Sequence, residues 1–248
     1  MPQFRASDGE TLAWHEQGAV GGRPVVLLHG LFSNAQTNWI RFGHAETLAA
    51  RGYRVIMPDL RGHGTSARPH DPSAYPPDIL VKDGFDLLEH LGLTDYDLGG
   101  YSLGARTAVR MVLLGARPRR LVIAGMGYDG LVNTGRGAAH FRSVLSGLGS
   151  HERGSPKWLA EAFLKTTGGD PEALLPLLGS FVDSDPEDLA SIDMPTLVVA
   201  GVDDNDNGSA ATLADRLAGA RFVEIPGNHM SAVTDRALGH AIADFLAS

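Results

Sequence analysis

Short, nearly unbroken apolar runs alternate with helix-length amphipathic stretches along this chain, and that alternation constrains the fold more than any other feature. The runs are Val25-Val26-Leu27-Leu28, Arg54-Val55-Ile56-Met57, Tyr96-Asp97-Leu98-Gly99-Gly100, Leu121-Val122-Ile123-Ala124, Thr196-Leu197-Val198-Val199-Ala200 and Arg221-Phe222-Val223-Glu224-Ile225. A strand with one wet face alternates polar and apolar positions, so runs like these read as strands covered on both faces. Between them, Gln36 to Arg51, Ile79 to Leu91, Leu103 to Leu114, Ser209 to Leu217 and Ala232 to Leu246 read as helices. In the second, Leu80, Phe85, Leu87, Leu88 and Leu91 recur near the helical period. Asp8-Gly9, between Phe4–Ser7 and Thr11–His15, predicts an N-terminal hairpin. Strands joined through helices take right-handed crossovers, which gives an α/β class with a mostly parallel, doubly wound sheet.

From 127 to 192 the alternation stops. Three apolar stripes follow one another there: Phe141, Val144, Leu145, Leu148; then Trp158, Leu159, Ala162, Phe163; then Leu174, Leu175, Leu177, Leu178, Phe181. With Gly and Pro between them, they predict a helical cap at 127–192 inserted into a core formed by 1–126 and 193–248. At 248 residues the chain is long enough for one α/β domain with such an insertion.

Composition narrows the chemistry. With no cysteine, a disulfide framework, a thiolate metal site and a Cys nucleophile are excluded. The net charge of −8 argues against a nucleic-acid surface. No apolar run approaches the roughly 20 residues needed to span a bilayer, and no secretory leader is legible at Met1-Pro2-Gln3-Phe4-Arg5. The expectation is a soluble, cytoplasmic protein without a membrane partner.

The strongest motif is Gly100-Tyr101-Ser102-Leu103-Gly104, placed between an expected strand and an expected helix. A G-x-S-x-G turn in that context lifts the serine hydroxyl over the sheet, and the Leu103 amide at the helix start faces developing negative charge. A serine hydroxyl needs a base, and the base needs an orienting acid. Of ten histidines, His229 follows the last strand in Pro226-Gly227-Asn228-His229, and Asp204 lies just beyond the strand before it. Asp203 and Asp206 crowd the same loop. His29-Gly30-Leu31 ends the first long apolar run, where the Leu31 amide can supply a second oxyanion donor and His29 a brace for the turn. Asp203-Asp204-Asn205-Asp206-Asn207-Gly208 imitates half a calcium loop, but Ala214 replaces the required twelfth-position Glu, so no metal is expected.

Taken together, these residues resemble the α/β-hydrolase family, in its serine-nucleophile branch with a helical cap. Asp59-Leu60-Arg61-Gly62-His63-Gly64-Thr65-Ser66 is similar to that family's D-x-R-G-x-G-x-S loop. The resemblance covers nearly the whole chain. It implies a Ser102–Asp204–His229 triad in that chain order, with Gly-x-x-Asp spacing from Gly201 selecting Asp204 over Asp203. It also implies an oxyanion hole from the Leu31 and Leu103 amides, acyl-enzyme chemistry and no cofactor. One departure is Asn228, where the family often has Gly.

Phe32, Tyr101, Met126, Tyr128, Trp158, Phe163 and Met230 are the candidate substrate-binding residues. Apolar and aromatic, they favour a small, mostly apolar acyl substrate such as an ester or lactone. Arg117, Arg119 and Arg120 precede a strand at the far edge, which demotes a CoA thioester. Cleavage of a C–C bond or perhydrolysis on the same triad is an alternative, and a ligand-sensing protein with residual hydrolysis is another. The pattern leaves the physiological substrate and the oligomeric state open.

Overall fold

A computed structural model describes residues 1–248. Eight strands form one sheet: β1 (Gln3–Arg5), β2 (Thr11–Gln17), β3 (Arg23–Leu28), β4 (Tyr53–Pro58), β5 (Asp97–Tyr101), β6 (Leu121–Ala124), β7 (Thr196–Gly201) and β8 (Arg221–Ile225). Their spatial order is β1-β2-β4-β3-β5-β6-β7-β8, and every pairing from β4 to β8 is parallel. The β1–β2 hairpin adds two antiparallel edge strands, with β2 pairing to β4. β3, β5, β6 and β7 carry almost no exposed side chain, because helices cover both faces. This is the mostly parallel, doubly wound α/β sheet that the strand–helix alternation predicts.

The helices are α1 (His44–Ala49), α2 (Ile79–His90), α3 (Leu103–Leu113), α4 (Tyr128–Val132), α5 (Thr134–Ser146), α6 (Pro156–Thr166), α7 (Pro171–Leu177), α8 (Pro186–Leu189), α9 (Ala210–Arg216), α10 (His229–Ala232) and α11 (Arg236–Ala247). Two of the expected helices are divided. Within Gln36 to Arg51, a π-helical turn at Gln36–Ile40 ends before Gly43, whose φ of 80° interrupts the right-handed helix, and α1 starts afterwards. The last helix also starts anew, because the Asp235 carboxylate caps α11 by accepting from the Ala237 amide.

Between β6 and β7 the only regular elements are helices, α4 to α8. Four N-caps in this part of the chain and just after it follow one rule, a Ser or Asp side chain accepting a first-turn amide: Ser155, Asp170, Asp185 and Ser209. One apolar stripe differs from expectation. Leu159 faces solvent at 57% exposure, whereas α6 buries Leu164 and the Glu161 carboxylate. Glu161, two positions on and so on the far side of the helix from Leu159, accepts the Gly149 amide and pairs with Lys165, so the buried side of α6 is set by Leu164 and a satisfied carboxylate.

Candidate active site

The Ser102 turn is built by backbone packing. Ser102 links β5 to α3 at φ 53° and ψ −113°, a left-handed conformation that costs a non-glycine residue about 1–3 kcal/mol. Its amide donates to the Ala124 carbonyl at 2.8 Å. A Cβ on Gly100 would meet the Gly104 carbonyl carbon at 2.2 Å, and one on Gly104 would meet the Leu28 carbonyl oxygen at 2.1 Å. Both glycines of the motif are therefore required because two backbones touch there, with β3 pressed against the first turn of α3.

Loops after β7 and β8 bring up the other two side chains. They are laced together by backbone bonds, Val202 N–H to Ile225 C=O and Asp203 N–H to Gly227 C=O. A Cβ on Gly201 would strike the Gly227 oxygen at 2.1 Å. His229 Nδ1 lies 2.9 Å from Asp204 Oδ2, and His229 Nε2 lies 3.1 Å from Ser102 Oγ. An Nδ1–H donated to the carboxylate leaves Nε2 free to accept the serine proton. The Asp204 side chain is 3% exposed, and its other oxygen accepts the Asp206 amide at 3.3 Å. Asp203, the alternative, is exposed.

Asn228 has a local reason. It N-caps α10, its Oδ1 accepting the Met230 and Ser231 amides while Ser231 Oγ accepts the Asn228 amide. This capping box orients His229 as the first residue of α10. Tyr101, named above as a candidate substrate contact, belongs instead to the support of the histidine. It is buried, its hydroxyl donates to the His229 carbonyl at 2.6 Å, and its ring lies 5.2 Å from the imidazole. Burial, and the charge of Asp204, raise its phenol, so the hydroxyl stays a donor.

Leu103 is the first residue of α3, so its amide has no intrahelical acceptor. The Leu31 amide likewise has no acceptor within the protein. Side chains hold the loop around Leu31. Gly30 N–H donates to Asn38 Oδ1 at 3.0 Å, Ala35 N–H to Asp59 Oδ1 at 2.9 Å, and Phe32 N–H to His63 Nε2 at 3.2 Å. His29 Nδ1 faces the Gly30 carbonyl and its Nε2 accepts the Leu60 amide, a bracing role with no proton to transfer. Burial drives both imidazoles toward the neutral form, pushing His63 down to about 3. Burial would raise the Asp59 carboxyl, but bonds from His15 and from the Ala35 and Thr65 amides outweigh it and hold the group well below the ordinary range. In the same loop, Arg61 forks onto both oxygens of Asp83 at 3.0 and 2.7 Å.

The other candidate contacts divide. Phe32 is buried, with its ring 5.3 Å from that of Phe141 on α5. Met126 is packed into the core, and Trp158 and Phe163 are half-buried on α6. Met230, next to His229, is 48% exposed. Tyr128 lies under the Arg216 guanidinium, 5.0 Å from it, at α9. Sequence reasoning missed Asn38, which it placed in a helix, and gave His63 no role. A hydrogen-bonding side chain at either position is the only signal that could have marked them.

A mostly parallel sheet with a serine turn after β5, and with Asp204 and His229 on the loops after β7 and β8, is the arrangement of an α/β hydrolase. The model of the Alpha/beta hydrolase family matches residues 25–242, and the chain belongs to that family. A non-heme haloperoxidase of Rhodococcus erythropolis is 30% identical over 264 aligned residues, covering 92% of each chain. The dihydrolipoyllysine-residue acetyltransferase component of the acetoin cleaving system of Pseudomonas putida is 34% identical over 81% of this chain, which spans only 57% of that longer protein. Among solved structures, a hydrolase from Pseudomonas aeruginosa PA01 superposes with a TM-score of 0.76 at 26% identity, covering 100% of this chain and 98% of the other. No helix here is long and apolar enough to cross a membrane.

Proposed function

We propose that this protein is a serine hydrolase acting on a small, mostly apolar carboxylic ester or lactone, with residues 127–192 as a cap over the site. The observation that carries the reading is the continuous chain Ser102 Oγ, His229 and Asp204, with contacts of 3.1 and 2.9 Å. His229 Nε2 takes the hydroxyl proton as Oγ bonds to the acyl carbon. The carbonyl oxygen becomes an oxyanion and accepts from the Leu31 and Leu103 amides. The imidazolium, stabilised by Asp204, gives the proton to the leaving oxygen as its bond to the acyl carbon breaks. Water repeats the sequence on the acyl-enzyme and releases the acid.

A second reading is favoured by the haloperoxidase relative, which matches nearly the whole chain. In it, hydrogen peroxide replaces water at deacylation and the product is a peracid. Turnover of p-nitrophenyl acetate with and without hydrogen peroxide, assaying acetic and peracetic acid, separates the two. Ser102→Ala is expected to lower either turnover by about 10⁴-fold or more. A variant that keeps more than a few per cent of activity overturns the nucleophile assignment.

A further inference from the structure

We propose that Thr167, the residue capping the C-terminal end of α6, is a positioning residue for the oxyanion loop, so that seating of the helical segment sets the geometry of the Leu31 amide. The inference rests on the hydrolase reading and on Leu31 as an oxyanion donor. Phe32, one residue further on, stands at φ 61° and is 1% exposed. A phenylalanine holds such a conformation only where its surroundings over-determine it.

Three contacts do so, and two come from the helical segment. His63 accepts the Phe32 amide from the core side. Phe141 on α5 packs edge-on to its ring, with planes at 81°. Thr167 Oγ1 donates to the Phe32 carbonyl at 2.6 Å. The hydroxyl also lies 3.1 and 3.0 Å from the carbonyls of Phe163 and Leu164, but these already accept the Thr167 and Gly169 amides. The Phe32 carbonyl has no other donor in the protein. The single hydroxyl proton therefore belongs to the shortest contact, where it satisfies an otherwise orphaned buried acceptor.

Thr167 holds the Phe32–Ser33 peptide, whose Ser33 N–H donates to the Gly30 carbonyl at 3.2 Å; that carbonyl shares a peptide plane with the Leu31 N–H, so the hold on Phe32 carries over to the direction in which the Leu31 N–H points. The same turn is tied down nearby. Arg68 Nη1 donates to the Gly168 carbonyl at 3.0 Å, and His70 bridges Asp170 and Glu172 at 2.9 and 3.0 Å. The junction of α6 and α7 is thus where the helical segment is fastened to the core, and Thr167 is its link to the oxyanion loop.

The test compares Thr167→Val, which keeps shape and removes the hydroxyl, with Thr167→Ser, which keeps the hydroxyl. The readouts are kcat and KM on p-nitrophenyl acetate and the rate at which a fluorophosphonate labels Ser102, because its phosphoryl oxygen occupies the same hole. Expected for Val is a fall of about tenfold or more in kcat and in labelling rate, with KM within twofold, since a misaimed donor weakens the transition state selectively. Ser should restore both to within about threefold. Unchanged kcat and labelling in Val, a rise in KM alone, or a loss that Ser does not restore each overturns the proposal. Failure of the wild-type protein to label at Ser102, or full turnover by Ser102→Ala, would instead remove the hydrolase reading itself.

Discussion

Two turns meet over the C-terminal ends of the strands, and each holds a non-glycine residue in the left-handed region: Ser102 at φ 53° and Phe32 at φ 61°. They are held by different means. The Ser102 turn is closed by backbone, with Gly100 and Gly104 admitting contacts that no side chain would tolerate. The Phe32 turn is closed by side chains, Asn38 from nearby and Asp59, His63 and Thr167 from distant parts of the chain. A turn set by main-chain packing is rigid and all-or-none. A turn set by individual hydrogen bonds can be loosened one partner at a time, and one of its partners belongs to the helical segment.

The largest expected effect tests the backbone side of that contrast. Gly104→Ala drives a methyl into the Leu28 carbonyl and should cost about 3 kcal/mol or more, read as a large drop in melting temperature or loss of soluble protein. Gly30→Ala in the other loop meets nothing closer than 3.6 Å and should stay within about 1 kcal/mol of wild type. Equal losses would erase the distinction.

Acid should act mainly on the side-chain-held turn. His29, His44 and His63 are held neutral by burial, their folded-state pKa values lying below that of the unfolded chain. Between pH 6.5 and about 3, the unfolded state binds protons that folded His63 does not. Its share of stability is therefore intact above pH 6.5 and drains away as the pH falls, by up to about 1.4 kcal/mol per unit. His63→Gln, which keeps an acceptor and removes the titration, should flatten melting temperature against pH between 7 and 4.5. Parallel curves would show that the imidazole contributes nothing to acid sensitivity. The smallest change is expected of Tyr101→Phe. It removes the hydrogen bond to the His229 carbonyl and should cost about 1 kcal/mol and a few-fold in kcat, measured by melting and by ester turnover.

Much of the fold was legible because burial on both faces of a parallel sheet imposes continuous apolar runs, and six of these became β3 to β8. The motif around Ser102 was legible because both glycines answer to contacts made within a few residues and one neighbouring strand. The divided helices were less so. Gly43 can sit inside a helix or end one, and only the burial of Trp39 and His44 on either side of it makes the break worthwhile. Leu159 misled because the side of α6 that is buried carries a satisfied carboxylate, Glu161, and hydropathy favours only the apolar side.

Local order in the chain determined the strand–helix alternation, the turn at Ser102 and the chain order of Ser102, Asp204 and His229, because each follows from period or from residues in direct succession. Which carboxylate faces His229, why Tyr101 serves that histidine, and how Phe32 is clamped between His63 and Thr167 were decided by the folded molecule alone. Thr167 follows Phe32 by 135 residues, and a hydrogen bond across that separation leaves no trace in either neighbourhood. Such a bond exists only because sheet and helices pack to bring the two ends within reach.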